Sequence, residues 1–297
     1  MTVRLNPDLL PNLLISIQQS KMNEATATNQ MASGRSVNQP SEDPAATAAL
    51  VRNHDQSAQD EQFLKNLNNL RGRFQVADST MSNIVQVMTR AVTLGTEGAN
   101  GTLSSTDRQA LAGEVLGLLK QTLGLANASY QGAFLFGGTA VNSQPFTLDP
   151  ATNAVTYSGN SKTTSIQLTT GNFTNANVPG DQLFLNSSGS VFGSLQNLYS
   201  ALVSGNNVDT AVTEVSSALK QLGTQRVFYG NVLNQINLSE SFLNQDKVNL
   251  GEQENGLVGA DLAAVVANYS QAEVANQATI SAAGRILGQK TLLDYMV

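Results

Sequence analysis

The sequence predicts a mainly α-helical protein with a small β-rich insertion at mid-chain and paired helical ends. Three observations carry that prediction. Apolar residues from Phe63 to Ala91 recur at alternating four- and three-residue steps, a coiled-coil-type seam held for about four heptads. Between Thr139 and about Ser190 the chain switches to strand-like stretches separated by Gly, Asn, Ser and Thr. Both ends of the chain read as amphipathic helices that carry very few charges.

The first helix is predicted from about Leu13 to Ala32, with Leu13, Leu14, Ile17 and Ala25 at helical spacing. Pro7 and Pro11 blur its start, since proline is tolerated only in a first turn. Gly34 stands where a helix end favours positive φ. Ser41 or Asp43 can then cap a second helix, with Pro44 in its first turn. MASGRSVNQPSEDPAATAAL, Met31 to Leu50, is thus read as a helix stop, a loop and a helix start.

The second helix carries the seam Phe63, Leu67, Leu70, Phe74, Ala77, Met81, Ile84, Met88 and Ala91, read as the core of a helical rod. Gly95, Gly98 and Gly101 end it. Thr106 with Gln109 suggests a capping box for a third helix with a seam of Leu111, Val115, Leu118, Thr122 and Leu125. In the insertion, PFTLDPATNAVTYSG reads as a hairpin: Phe146 to Leu148, an Asp149-Pro150 turn, then Val155 to Tyr157. Helical spacing resumes near Val191, and a long helix from Leu219 carries Leu222, Tyr229, Leu233, Ile236, Leu243, Leu250 and Leu257. Gly256 and Gly259 interrupt it before a last helix, Asp261 to Val297, with Leu262, Val265, Tyr269, Ala272, Thr279, Ala283 and Ile286 along one face.

Composition excludes several kinds of chemistry. There is no Cys among 297 residues, so disulfides and thiolate metal sites are ruled out, and a single histidine, His54, argues against a His-based triad or metal cluster. His54 is read as a surface residue. No Gly-rich phosphate loop, HExxH or CxxC occurs, the glycines of GAFLFGGT are wrongly spaced for one, and no cofactor is expected. A net charge of −6 offers no footprint for nucleic acid or anionic membrane, and no run is apolar enough to span a bilayer. LLPNLLISI has neither a basic leader before it nor a small-residue cleavage site after it, so no cleaved signal peptide is expected. Charged residues make up 13%, about half the usual share. Asn, Gln, Ser and Thr replace them, and an uncharged polar face packs against a neighbour at lower desolvation cost. The composition therefore points to extensive protein–protein contact.

The stretch MASGRSVNQPSEDPAATAAL resembles the pattern LASGxxVNxPSDDPxxAxxL of the flagellin superfamily. The ending QATISAAGRILGQKTLLDYMV resembles that superfamily's C-terminal helix. STDRQALAGEVLGLLKQTLGLANASYQGAFLFGGTAVNSQPF, followed by YSGN, SIQL and NVPGDQLF, is more similar to the superfamily's hook–filament junction members than to flagellin. The start LNPDLLPN departs from the usual N-terminus.

The resemblance implies an elongated helical rod. Residues 1–38 and 260–297 would form an inner assembly layer, 39–138 and 191–259 the rod, and 139–190 an outward β-domain. It further implies a non-enzymatic adaptor joining hook to filament, or alternatively flagellin itself. Export would run through the flagellar type III channel, with a dedicated chaperone covering the C-terminal helix beforehand. The partners would be copies of the same chain, the other hook-associated junction protein, and flagellin. Leu13, Leu14, Ile17, Leu262, Val265, Tyr269, Ile286, Leu287, Leu292 and Leu293 are the expected assembly residues. A secreted adhesin or enzyme built on residues 139–190 is disfavoured, because Asp149, Lys162 and Asp181 are the insertion's only charges.

Overall fold

A computed structural model describes residues 9–186 and 189–287. The described elements are α1 (Leu9–Ser33), α2 (Pro44–Gly98), α3 (Ser105–Ala126), β1 (Ser129–Tyr130), β2 (Ala133–Phe134), β3 (Phe146–Leu148), β4 (Val155–Tyr157), β5 (Ser165–Thr169), β6 (Asn172–Asn175), α4 (Gly180–Phe184), α5 (Val191–Ser204), α6 (Val208–Val258) and α7 (Leu262–Leu287). The protein is mainly helical, and its strands form three separate antiparallel pairs between α3 and α4. The chain divides into two compact units. One holds the described residues up to Ala58 and from Asp246 onward; the other is Gln59–Gln245.

The larger unit is built around the long seam. Leu67, Leu70, Phe74, Ala77, Met81, Ile84, Met88 and Ala91 are all buried, and Phe63 packs half-buried against them. Opposite runs α6, antiparallel to α2. Arg71 of α2 pairs with Glu240, while Asp78, two turns on, takes a two-pronged contact from Arg226 at 3.0 and 3.2 Å. Between these pairs Phe74 packs against Phe228 and Tyr229, with ring centroids 6.2 and 5.4 Å away. Burial pushes the Tyr229 hydroxyl pKa well above its ordinary value.

Three expectations shift on the structure. The N-cap of α3 is Ser104, not Thr106: the Ser104 hydroxyl accepts from the Asp107 N–H at 3.1 Å. The same hydroxyl donates to Asp107 Oδ2 at 2.7 Å, so serine and acid three residues apart fix the cap one half-turn earlier than expected. The fully buried line of α3 is Ala112, Val115, Leu119, Thr122 and Ala126, which keeps the 3-4 step but leaves Leu111, Leu118 and Leu125 half-buried. Small alanines let neighbouring helices approach there, so the leucines flank the contact. The long helix also begins earlier than Leu219, at Val208, after Gly205 ends α5 at φ +71°.

The β-rich stretch shares the helices' core. The β3–β4 hairpin pairs Phe146 with Tyr157 and Leu148 with Val155, the two strands read from the sequence. Asp149 builds its turn, accepting from the Ala151 N–H at 2.9 Å and the Thr152 hydroxyl at 2.7 Å. The Thr152 hydrogen bond, then the Ala151 amide, hold the Asp149 carboxyl below the usual carboxylate range. Asn127, just after α3, clasps the Phe146 backbone through both amide atoms at 2.9 and 3.0 Å. Phe146 then meets Phe184 and Phe192 at 5.5 and 5.3 Å, which ties hairpin, α4 and α5 into one apolar cluster. NVPGDQLF, grouped with the strands by composition, supplies the short helix α4.

Candidate assembly surface

In the smaller unit, α1 and α7 lie against each other in antiparallel fashion. Both begin as the sequence chemistry directs. Pro11 falls in the first turn of α1, where its missing N–H is harmless. Asp261 caps α7, its carboxylate accepting from the Ala263 and Ala264 N–H groups at 3.0 and 3.2 Å. The start of α2 is capped by Asp43 rather than Ser41: Asp43 Oδ1 accepts from Ala45 and Ala46 at 3.0 and 2.9 Å.

The two interruptions in the helical pattern meet each other. Gly34, at φ +68°, ends α1. Its carbonyl accepts from the Ala260 N–H at 3.0 Å, and the Ser36 N–H donates to the Val258 carbonyl at 2.7 Å. This short bridge ties the loop after α1 to the break between α6 and α7. Arg35 adds an ion pair to Glu254, whose other oxygen lies 3.5 Å from Nε2 of the exposed His54. The two interruptions are thus one structural joint, and His54 belongs to its surface.

Beyond the joint, α1 and α7 share a thin contact. Ala27, Val265 and Ala272 are its buried apolar residues, and Asn276 donates to Glu24 at 3.3 Å. Leu13, Ile17 and Tyr269 are half-buried. Ser20, Asn23 and Gln30 from α1 face Asn268 and Gln271 from α7 along an uncharged polar groove. The charged residues of the two helices are Lys21 and Glu24 on α1 and Glu273 and Arg285 on α7.

A second apolar set points away from this contact. Leu14 is 63% exposed and Leu262 54%, and the sequence reading had picked both. Ile15, Met22, Val266, Val274 and Ile280 join them, each more than half exposed. Sequence reasoning missed these five because it followed a single 3-4 seam on each helix. The missed residues lie off that seam, and their signal was a second stripe of large apolar side chains among small ones. Val265, expected among the assembly residues, instead fills the α1–α7 contact. The side chains of Ile286 and Leu287, and the whole of Leu292 and Leu293, lie outside the described residues.

Large apolar side chains thus stay exposed along two adjacent helices after these have packed together. Among the described residues, no helix is long and apolar enough to cross a membrane, and no cluster of His, Asp and Glu is arranged to hold a metal ion. The architecture is that of a self-associating helical structural protein. Residues 11–141 match the bacterial flagellin N-terminal helical region, and residues 206–296 the bacterial flagellin C-terminal helical region. The chain belongs to the flagellin superfamily.

Flagellar hook-associated protein 3 of Salmonella typhimurium is 27% identical over 278 residues, covering 84% of this chain and 86% of that protein. A flagellin of Listeria innocua is 22% identical over 258 residues, covering 86% and 85%. Among solved structures, the flagellar junction protein of Legionella pneumophila superposes with a TM-score of 0.61 at 17% identity, over 71% of this chain and 100% of that one.

Proposed function

We propose that this protein is a structural adaptor of the bacterial flagellum, placed at the junction of hook and filament and held there by packing of α1 and α7 against neighbouring subunits. One observation carries the reading: large apolar side chains on both helices remain exposed after the two have packed together. Family membership and the hook-associated relative supply the setting. In this reading residues 1–38 and 260–297 form the inner assembly layer, the long helices of 39–138 and 191–259 a rod, and 139–190 the outward part. The neighbours are copies of the chain, the other hook-associated junction protein, and flagellin. Export proceeds through the flagellar type III channel with an uncleaved N-terminus, after a chaperone has covered the C-terminal helix. The chain's lack of cysteine suits passage in an unfolded form, since cross-links would obstruct it.

The energetics favour many partners over one. Burying the exposed parts of Leu14, Ile15, Met22, Val266, Val274 and Ile280 is worth roughly 5–10 kcal/mol in all. That is of the same order as the about 4–15 kcal/mol that association costs in lost freedom. A single pairwise contact is therefore marginal, and a ring of neighbours around a common axis is not.

Removing Leu262–Val297 tests the reading. The truncated chain should keep the folded Gln59–Gln245 unit, seen as retained helical circular dichroism and cooperative melting, and should be absent from hook tips in cells. Normal incorporation would refute the proposal. The Listeria innocua relative keeps flagellin as the second reading; growth of the purified protein into micrometre-long filaments would favour it.

A further inference from the structure

The chain holds two Asn–Gly steps, Asn100-Gly101 and Asn255-Gly256. Glycine has no side chain to shield its own backbone nitrogen, so at such a step that nitrogen can approach the asparagine side chain closely. The fold treats the two steps differently. Asn255 and Gly256 lie inside α6, where the helix commits the Gly256 N–H to a backbone carbonyl and fixes its direction. Asn100 and Gly101 lie exposed in the turn between α2 and α3.

In that turn the reacting groups stand side by side. The Asn100 side-chain oxygen, Oδ1, accepts from the Thr102 N–H at 3.1 Å and from the Thr102 hydroxyl at 2.9 Å. Two donors on one carbonyl oxygen draw charge away from Cγ, and they sit where negative charge gathers when Cγ is attacked. The Gly101 N–H, between Asn100 and Thr102, donates to no acceptor among the described residues. No described atom lies within 4 Å of the place a Gly101 Cβ would take, so the approach is unobstructed.

We propose that Asn100 is a site of spontaneous cyclisation and deamidation in the folded chain, with Thr102 polarising the carbonyl that is attacked. The Gly101 nitrogen gives its proton to solvent and bonds to Asn100 Cγ. The Cγ–Nδ2 bond breaks, and the side-chain nitrogen takes a proton and leaves as ammonia. Water then opens the cyclic imide. Breaking the new Cγ–N bond gives aspartate; breaking the bond from the Asn100 carbonyl carbon to that nitrogen gives isoaspartate, which lengthens the backbone by one carbon. Water is the only co-reactant, and nothing is oxidised or reduced. Either product sets a new carboxylate within a turn of Glu97 at the negative end of α2, against the helix dipole. The charge of a copy thus records the time it has spent folded in neutral or alkaline water. This chemistry does not depend on the flagellar reading.

The test incubates folded, full-length wild type in mildly alkaline buffer. Both steps are followed by peptide mapping with mass spectrometry, and isoaspartate is counted by enzymatic methylation. Asn100 should convert at least about tenfold faster than Asn255, which must wait for local opening of α6. In concentrated urea the two rates should converge; rates that stay apart there, or equal rates in the folded chain, would overturn the proposal. So would conversion of Asn100 in the folded chain about tenfold slower than in the free peptide GANGTL. Thr102→Val removes only the hydroxyl of an exposed side chain. It should leave the melting temperature unchanged and slow conversion at Asn100 about threefold; an unchanged or faster rate would overturn the part given to Thr102.

Discussion

Gly138 shows how one residue can be fixed by its backbone and its neighbours at once. It sits at φ +71°, and a Cβ there would lie 2.0 Å from the Asn160 carbonyl oxygen. The facing Asn160 amide oxygen meanwhile accepts from the Thr139 N–H at 3.0 Å, closing the loop over the turn. Gly138→Ala should therefore destabilise the protein by about 2–4 kcal/mol, from left-handed strain plus displacement of that loop, measured by urea denaturation. Asp149 makes a milder prediction. Its depressed pKa means that the ionised carboxylate favours the folded turn. That contribution is present above the unfolded value of about 3.9 and is lost as pH falls through the lower folded value. The Asp149 carboxyl resonance should titrate below the range of an unstructured aspartate; a midpoint at or above it would contradict the turn geometry. In the sequence, the Asp149-Pro150 turn was legible because its chemistry is local. The Gly138–Asn160 contact was not, because it joins residues 22 positions apart.

Among the elements, legibility followed the length of the repeat. The α2 seam was readable because eight consecutive positions from Leu67 to Ala91 obey one spacing, and all eight are buried. The α3 seam, with two alanines and a threonine among its five buried positions, offered a weaker apolar signal, and the leucines beside it drew the reading one residue aside. The boundary between α5 and α6 was missed because the glycine that sets it, Gly205, lies in a stretch where helical spacing continues on both sides. The joint between Gly34 and Ala260 could not be foreseen as a pairing, although each interruption was seen separately. Packing density separates the elements dynamically. α1 buries Ala27 and α7 buries Val265 and Ala272, whereas α2 buries an unbroken line of large side chains. In a verified monomer, amides of α1 and α7 should exchange with solvent orders of magnitude faster than those of α2 between Leu67 and Leu94. Equal protection throughout would mean that the terminal helices are already satisfied within one chain.

At the scale of the whole molecule, the division of labour follows from where apolar surface is satisfied. The Gln59–Gln245 unit closes a continuous core of helices and hairpins on itself. The terminal helices instead combine a thin mutual contact, few charges and exposed apolar side chains, which suits them to surfaces completed by neighbours. The paired ends and their low charge were legible from composition. The direction of the second stripe was not, since it depends on which face α1 and α7 turn toward each other. Two substitutions on that stripe, Leu14→Asp with Val266→Asp, test the claim most directly, because both side chains are more than half exposed. The measurement is the fraction of hooks carrying labelled protein at their tips, in cells that export wild type and variant equally. The account predicts unchanged melting of the purified variant and loss of nearly all tip labelling; labelling at the wild-type level would contradict it.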